Sequence, residues 1–258
     1  MQHLNTISVK VSIIIVSYNS YSELNYFFKS LIMVEPNLAE VEIILVENGT
    51  SKAVGKIQSD YSEYFNRFSL MWSDNNVGFG GGNNIGANVA TGSILAFFNP
   101  DLIFQEPIIT KIITNSEKYT LSGFKLYSLQ GNVINYIGYR PKYFLLNPIL
   151  KILTPLIGND CFSFLRFFYW PWGASLIVKS HDFRMIGGFD ESFFLCNEEP
   201  DLVERLGVTR FGIIDAKIIH DEGHSGNGKF RRSMYIRSTA RFFKKYNLKG
   251  LRYYLRNV

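Results

Sequence analysis

Four acids and one histidine, in three places along the chain, have the types and spacing to do chemistry. Asp101 closes the tripeptide Asn99-Pro100-Asp101, immediately after an apolar run. A carboxylate in a loop pinned by proline can ligate a divalent cation that bridges diphosphate oxygens; it can equally cap the next helix or turn. In Asn197-Glu198-Glu199-Pro200-Asp201-Leu202, three acids precede an apolar helical pattern. Proline at a first helical position with acids in the first turn is ordinary helix-start chemistry. Crowded carboxylates also raise the pKa of one of their number, which makes a usable general base. His220 ends the apolar run 213–219 and is followed by Asp221, Glu222, Gly223, His224 and Ser225. A neutral imidazole there can complete a metal site with Asp101, or simply end a strand.

A glycine-rich stretch, Asn76-Val77-Gly78-Phe79-Gly80-Gly81-Gly82-Asn83-Asn84-Ile85-Gly86, adds a second kind of signal. Glycines let backbone amides approach a phosphate or sugar closely, although such a cluster also serves as a tight turn. It is not a dinucleotide fingerprint, because the third glycine of G-x-G-x-x-G would fall on Asn83 or Ile85, and the stretch follows a third strand rather than a first.

The elements that must position these residues alternate over the first hundred positions, as in a parallel sheet with crossover helices. Strands are expected over 11–16, 41–46, 68–72 and 93–98. A helix over 21–33 has apolar spacing at Leu24, Phe27, Phe28 and Leu31. The glycines at 78–82 are expected to lead into a helix ending near Gly92. Asp101 then lies just past the C-terminal end of a parallel strand, where ligand sites gather in open α/β sheets. Farther on, a helix over 107–118 and a hairpin-like stretch over 123–136 precede an aromatic segment, 143–172. Pro148, Pro155 and Pro171 exclude one long helix there; the segment reads as a variable insertion that packs on the core, covers the cleft or touches a hydrophobic acceptor. An apolar run at 174–178, a turn at Gly187-Gly188-Phe189-Asp190, and a last helix with apolar positions Phe230, Met234, Phe242 and Tyr246 complete the chain. The reading is one α/β catalytic domain over 1–228 and a basic, aromatic helical tail over 229–258.

The 258 residues, 47% apolar and 19% charged, suffice for one substantial core. The 22 Phe and 15 Tyr suit a protein that stacks on flat ligands or meets a membrane interface, and equally an aromatic-rich core. The net charge of +5 hides an asymmetry, since residues 229–258 hold ten Lys or Arg and no acid. A basic tail on an acidic body attracts anionic lipid head groups, a phosphorylated acceptor or nucleic acid. The start, MQHLNTISVK, is polar and offers no cleavable signal, so the mature protein is expected to begin near Met1. No window reaches ~18 unbroken apolar residues. Cys161 and Cys196, far apart, indicate no disulfide framework and fit a cytoplasmic location.

Taken in order, these segments resemble the family 2 glycosyltransferases of the GT-A fold, especially the branch that includes rhamnosyltransferases of bacterial surface polysaccharides. The likeness runs over roughly residues 10 to 245. It rests on Val11-Ser12-Ile13-Ile14-Ile15-Val16-Ser17-Tyr18-Asn19, Ile43-Ile44-Leu45-Val46-Glu47-Asn48, the glycine stretch, Phe97-Phe98-Asn99-Pro100-Asp101, Trp172-Gly173-Ala174-Ser175, Gly187-Gly188-Phe189-Asp190-Glu191 with Phe193-Phe194, and Glu198-Glu199-Pro200-Asp201-Leu202. The resemblance implies that Ser17, Tyr18, Asn19 and Glu47 line the nucleobase and ribose pocket, that Asn83 and Asn84 lie near the sugar-nucleotide, and that Gly173 and Ala174 border acceptor and donor sugar. Asn99 and Asp101 stand in the metal-binding D-x-D-type motif, and Glu198 belongs with the nucleotide-sugar-binding set. Glu199 takes the catalytic-base position of an E-D-x-D element, and His220 matches a downstream histidine that joins the metal or diphosphate. Glu47 and Glu199 each replace the usual Asp and so reach one methylene further, which makes Asp201 a rival base.

The function so implied is inverting transfer of a sugar, rhamnose first, from a nucleoside-diphosphate donor to a saccharide or lipid-linked acceptor, with Mg²⁺ or Mn²⁺ as cofactor held by Asp101 and His220. In the tail, Lys229, Arg231, Arg232, Arg237, Arg241, Lys244 and Lys245 alternate with Phe230, Tyr235, Phe242 and Phe243. Such a surface can rest on an anionic membrane at its inner face, or be a core-packed helix with solvated charges. A sugar-phosphate nucleotidyltransferase would place a glycine-rich basic loop after its first strand, where this chain has Ser17-Tyr18-Asn19-Ser20. A degenerate, non-catalytic transferase, or a nucleic-acid binder using 229–258, is the remaining class; the latter would show a steep salt dependence.

Overall fold

The computed structural model describes residues 9–134, 136–157, 160–221 and 228–257. In chain order its elements are β1 (Val11–Ser17), α1 (Tyr21–Val34), β2 (Val41–Glu47), α2 (Gly55–Tyr61), β3 (Arg67–Trp72), α3 (Gly78–Val89), β4 (Ile94–Phe98), β5 (Leu102–Phe104), α4 (Ile109–Lys118), β6 (Leu121–Tyr127), β7 (Ile137–Tyr139), α5 (Asn147–Leu153), β8 (Tyr169–Pro171), β9 (Ser175–Lys179), α6 (Ser180–Met185), α7 (Glu198–Leu206), β10 (Gly212–His220), α8 (Gly228–Lys245) and α9 (Leu251–Asn257).

Strands β1, β2 and β4 are apolar at nearly every position and buried nearly throughout, a pattern that demands cover on both sheet faces. Helices α1, α2 and α4 supply one cover through Leu24, Phe27, Phe28, Ile57 and Ile112. Helices α3, α6 and α7 supply the other through Ala87, Phe183, Leu202 and Val203. The sheet they enclose has eight strands in the order β3-β2-β1-β4-β9-β6-β10-β5. It is mostly parallel, with β9 and β5 running against the rest. The chain reverses its direction of travel across the sheet between β1 and β4, and such a switch point opens a crevice beyond the carboxyl ends of the strands. A separate ribbon pairs β7 with β8.

Two details differ from the expected order. The glycines at 78–82 do not precede a helix; they are inside α3. Glycine disfavours helix by about 1 kcal/mol per residue, but close packing decides the matter here: a Cβ at Gly82 would meet Val16 at 2.7 Å and one at Gly86 would meet Ile14 at 2.5 Å. The 123–136 stretch is only partly a hairpin. Its first half is β6, inside the large sheet, and a tight turn with Gly131 N–H donating to Ser128 O at 2.9 Å returns the chain to a single bridge at Val133.

The proline-bearing segment 143–172 forms short 3-10 stretches around α5 and contributes Leu150, Ile157, Leu165 and Tyr169 to the second core cluster. The tail packs against the body: Phe242, Phe243 and Tyr254 gather round Phe193, whereas Phe230 is half exposed. Lys245 bridges to Asp190 at 2.7 Å and to Asp201 at 2.5 Å. Among the described residues no helix is long and apolar enough to cross a membrane.

Candidate active site

The sequence-predicted residues converge on the carboxyl ends of β1, β2, β4 and β10 and on the start of α7. Asn99, just past β4, donates its N–H to Ala174 O at 3.0 Å, and the adjoining Gly173 donates its N–H to Glu199 Oε1 at 3.1 Å. One two-residue bridge therefore ties the Asn99-Pro100-Asp101 loop to the acidic helix start. On the far side of Asp101, its carbonyl accepts the Asp221 N–H at 3.2 Å, because β5 and β10 pair His220 opposite Leu102. His220 Nε2 then stands 3.3 Å from Asp101 Oδ1. That oxygen is buried and accepts no hydrogen bond among the described residues, which fits a position kept for a cation. No group of three or more His, Cys, Asp and Glu side chains gathers there among the described residues; Asp101 and His220 are the side chains placed where a cation could be held. His224 lies outside the described residues.

The turn into α7 is unusual. Cys196 and Asn197 both have left-handed backbone, φ 69° and 67°; asparagine tolerates that region but cysteine rarely adopts it, and such residues cost on the order of 1–3 kcal/mol and cluster at active sites. The surrounding structure enforces the turn from α8: Asn197 Nδ2 donates to Thr239 Oγ1 at 3.1 Å and Ser238 Oγ donates to Leu195 O at 2.8 Å. The tail thus holds the loop that aims the two glutamates.

Glu198 is buried, with Oε2 accepting no hydrogen bond among the described residues. Burial first, and then the neighbouring Glu199, push its pKa well above the usual carboxylate value. Glu199 is less buried, and desolvation raises its pKa as well. Arg231, near the start of α8, opposes that rise electrostatically. Burial and the two glutamates push the Cys196 thiol up to about 12, so it is no nucleophile. Asp201 is fully buried, with Oδ2 taken by Arg205 Nε at 2.7 Å and Oδ1 by Tyr246 OH at 2.9 Å.

At the ends of β1 and β2 the expected nucleotide residues form a closed network. Glu47 Oε2 accepts the Ser17 hydroxyl at 2.6 Å, and Oε1 accepts the N–H groups of Asn19 at 2.9 Å and Gly49 at 2.6 Å. Asn19, at φ 58°, accepts the N–H groups of Thr50 and Ser51 on its own side-chain oxygen. Tyr18, just past β1, is 61% exposed. Asn83 donates within α3 to Phe79 O. Asn84 staples α3 to the Gly187–Glu191 turn, donating to Phe189 O and Glu191 Oε1 and accepting from Phe189 N–H, all at 2.9 Å. Sequence reasoning passed over Asn48, which is buried, donates to Gly78 O at 2.9 Å and leaves Oδ1 without a hydrogen-bond partner among the described residues. The Asn48-Gly49 turn was the available signal. The same reasoning assigned Arg231 to the tail's surface and not to Glu199, and it passed over the Cys196-Asn197 turn, at which the asparagine alone hinted.

Comparison with known proteins adds sequence and structural relatives. The sequence model described as Glycosyl transferase family 2 matches residues 12–173. Rhamnosyltransferase WbbL of Escherichia coli (strain K12) is 25% identical over 91% of this chain and 93% of its own length. Among solved structures, S. aureus TarS 1–349 in complex with UDP superposes with a TM-score of 0.61 at 14% identity, over 92% of this chain and 72% of that one; the chain spans 44% of a longer TarS structure. Mannosyltransferase PcManGT from Pyrobaculum calidifontis, in complex with GDP-Man and Mn²⁺, superposes with a TM-score of 0.64 at 11% identity, over 93% of this chain and 65% of that one. At these identities the structural likeness establishes the fold, which is of the GT-A type.

Proposed function

The chain belongs to glycosyl transferase family 2, and from that premise we propose that it is an inverting transferase in which Glu199 takes the proton of the acceptor hydroxyl. The supporting observation is the bridge at Gly173-Ala174, which fixes Glu199 on one side and the Asp101 loop on the other. The acceptor oxygen attacks the anomeric carbon from the face opposite the nucleotide, the bond from that carbon to the diphosphate oxygen breaks, and its electron pair leaves with the nucleoside diphosphate. The proton passes to Glu199, whose desolvated carboxylate is more basic than a solvated one. A divalent cation, Mg²⁺ or Mn²⁺, when bound neutralises charge on the departing diphosphate; Asp101 and His220 are the residues to hold it. Asp201, with both oxygens engaged and no exposure, is a structural clamp in this scheme.

The donor is a nucleoside-diphosphate sugar, consistent with structural neighbours solved with UDP, UDP-GlcNAc and GDP-Man. Rhamnose is the sugar favoured by likeness to Rhamnosyltransferase WbbL. A saccharide or lipid-linked saccharide is the acceptor, met at the inner face of the cell membrane. The test is a panel of nucleoside-diphosphate sugars, dTDP-rhamnose included, read first by thermal stabilisation and then by transfer. A matching donor raises the melting temperature and gives a product of inverted anomeric configuration; retained configuration would overturn the single-displacement mechanism.

A further inference from the structure

The insertion between β7 and β8 turns an apolar row to the outside. Leu145, Ile149, Ile152 and Leu156 follow helical spacing and are 70%, 58%, 78% and 36% exposed. The opposite side of α5 already has its packing, with Leu150 2% exposed and its carbonyl accepting Tyr169 OH at 2.7 Å, so the outer row is not a core face left half covered. Single exposed aliphatics need no explanation, but a continuous row marks a contact surface.

The charge around the row identifies what it contacts. Residues 141–157 include Lys142 and Lys151 and no acid. Lys142 is committed to Glu204 of α7, which leaves Lys151 exposed beside the row. Leu145 also lines a hollow of about 390 Å³ with Leu248, Lys249 and Gly250 from the turn between α8 and α9, and Lys249 is exposed there. The row therefore continues into the acid-free basic tail. Aliphatic side chains rimmed by cations complement a surface of acyl chains beneath anionic head groups. In a symmetric pairing with a second copy the same cations would oppose one another.

We propose that this ridge over 145–156 seats the protein on an anionic bilayer, with the aliphatic row among the acyl chains and Lys151 and Lys249 at the head-group phosphates. The seat is joined to the catalytic wall, since β8 runs through Trp172, held by N–H donation to Tyr136 O at 3.0 Å, directly into Gly173 and its bond to Glu199. Its purpose rests on the transfer reaction proposed above, because a lipid-linked acceptor lies in that plane.

Vesicle sedimentation of the full chain tests this without turnover, so it decides the proposal even if the transfer reading fails. The protein should pellet with vesicles of equal phosphatidylglycerol and phosphatidylcholine and remain in the supernatant with phosphatidylcholine alone. The Ile149→Ser/Ile152→Ser pair should lower partitioning about tenfold or more, with an unchanged melting temperature and unchanged transfer to a water-soluble acceptor. Failure of the wild type to bind the anionic vesicles, or equal binding by the double variant, overturns it. Light scattering that shows a wild-type dimer and a monomeric double variant also overturns it, by assigning the ridge to a second copy.

Discussion

Glu199 receives the backbone N–H of Gly173 at 3.1 Å, and no side chain fits between them: a Cβ at position 173 would stand 2.5 Å from the same carboxylate oxygen. Gly173→Ala should therefore displace the base without touching the nucleotide end of the crevice. Misplacement of a catalytic group by about 1 Å costs on the order of 10²-fold in rate. We expect that loss in kcat with nucleoside diphosphate affinity unchanged, measured by steady-state kinetics beside nucleotide titration calorimetry.

Glu198 is the buried partner of that base, and its Oε2 accepts no hydrogen bond among the described residues. Its pKa is raised by burial and by Glu199, so the folded state holds a proton that the unfolded chain releases near the ordinary carboxylate value. Stability on this account is fully present below that value and is lost as pH rises through the elevated one. Glu198→Gln should stabilise the protein at neutral pH, by roughly 1 kcal/mol or more. Melting curves across pH check this.

The tail holds the active-site turn through Lys245, which bridges Asp190 and Asp201. Burial pushes the Asp190 carboxyl up, but hydrogen bonds from Lys245 and Ser192 outweigh it and hold the pKa down at about 2. The stability from this contact is present above the ordinary carboxylate value and is lost as pH falls toward about 2. Lys245→Met should cost about 1–3 kcal/mol at neutral pH and flatten the acid dependence of the melt between pH 4 and 2.

Asp101 Oδ1 accepts no hydrogen bond among the described residues and stands 3.3 Å from His220 Nε2. If that oxygen is reserved for a cation, nucleoside diphosphate binding should tighten when Mn²⁺ is added, and Asp101→Ala should abolish most of the gain, about tenfold in Kd. Titration calorimetry with Mn²⁺ and with EDTA reads this directly.

How much of this was legible in the sequence depended on which force governed each residue. Strands β1, β2 and β4 and helix α1 could be read because burial on both faces writes itself as nearly unbroken apolar runs with a 3.6-residue pattern between them, whereas β3, only partly buried, showed as the short run 68–72. Gly82 misled because its fit against Val16 is tertiary, and crowding there outweighs helix propensity. Strand β5 has three residues and carries no local signal, and the apolar run at 174–178 marked β9 without showing that it pairs antiparallel in mid-sheet. In the site, the acids after β4 and before α7 were visible as residue types. The roles of Glu47, Asn19 and Asn84 as internal staples were not, because a side chain's partners thirty or a hundred residues away leave no mark on spacing.

The most direct test compares Glu199→Gln with Asp201→Asn in the transfer assay, with circular dichroism and donor titration on both. Glu199→Gln should remain folded, bind the donor normally and lose at least about 10³-fold in kcat. Asp201→Asn should lose stability through Arg205, Tyr246 and Lys245 while its folded fraction keeps turning over. Undiminished transfer by Glu199→Gln, with turnover abolished in a fully folded Asp201→Asn, would contradict the assignment of the base.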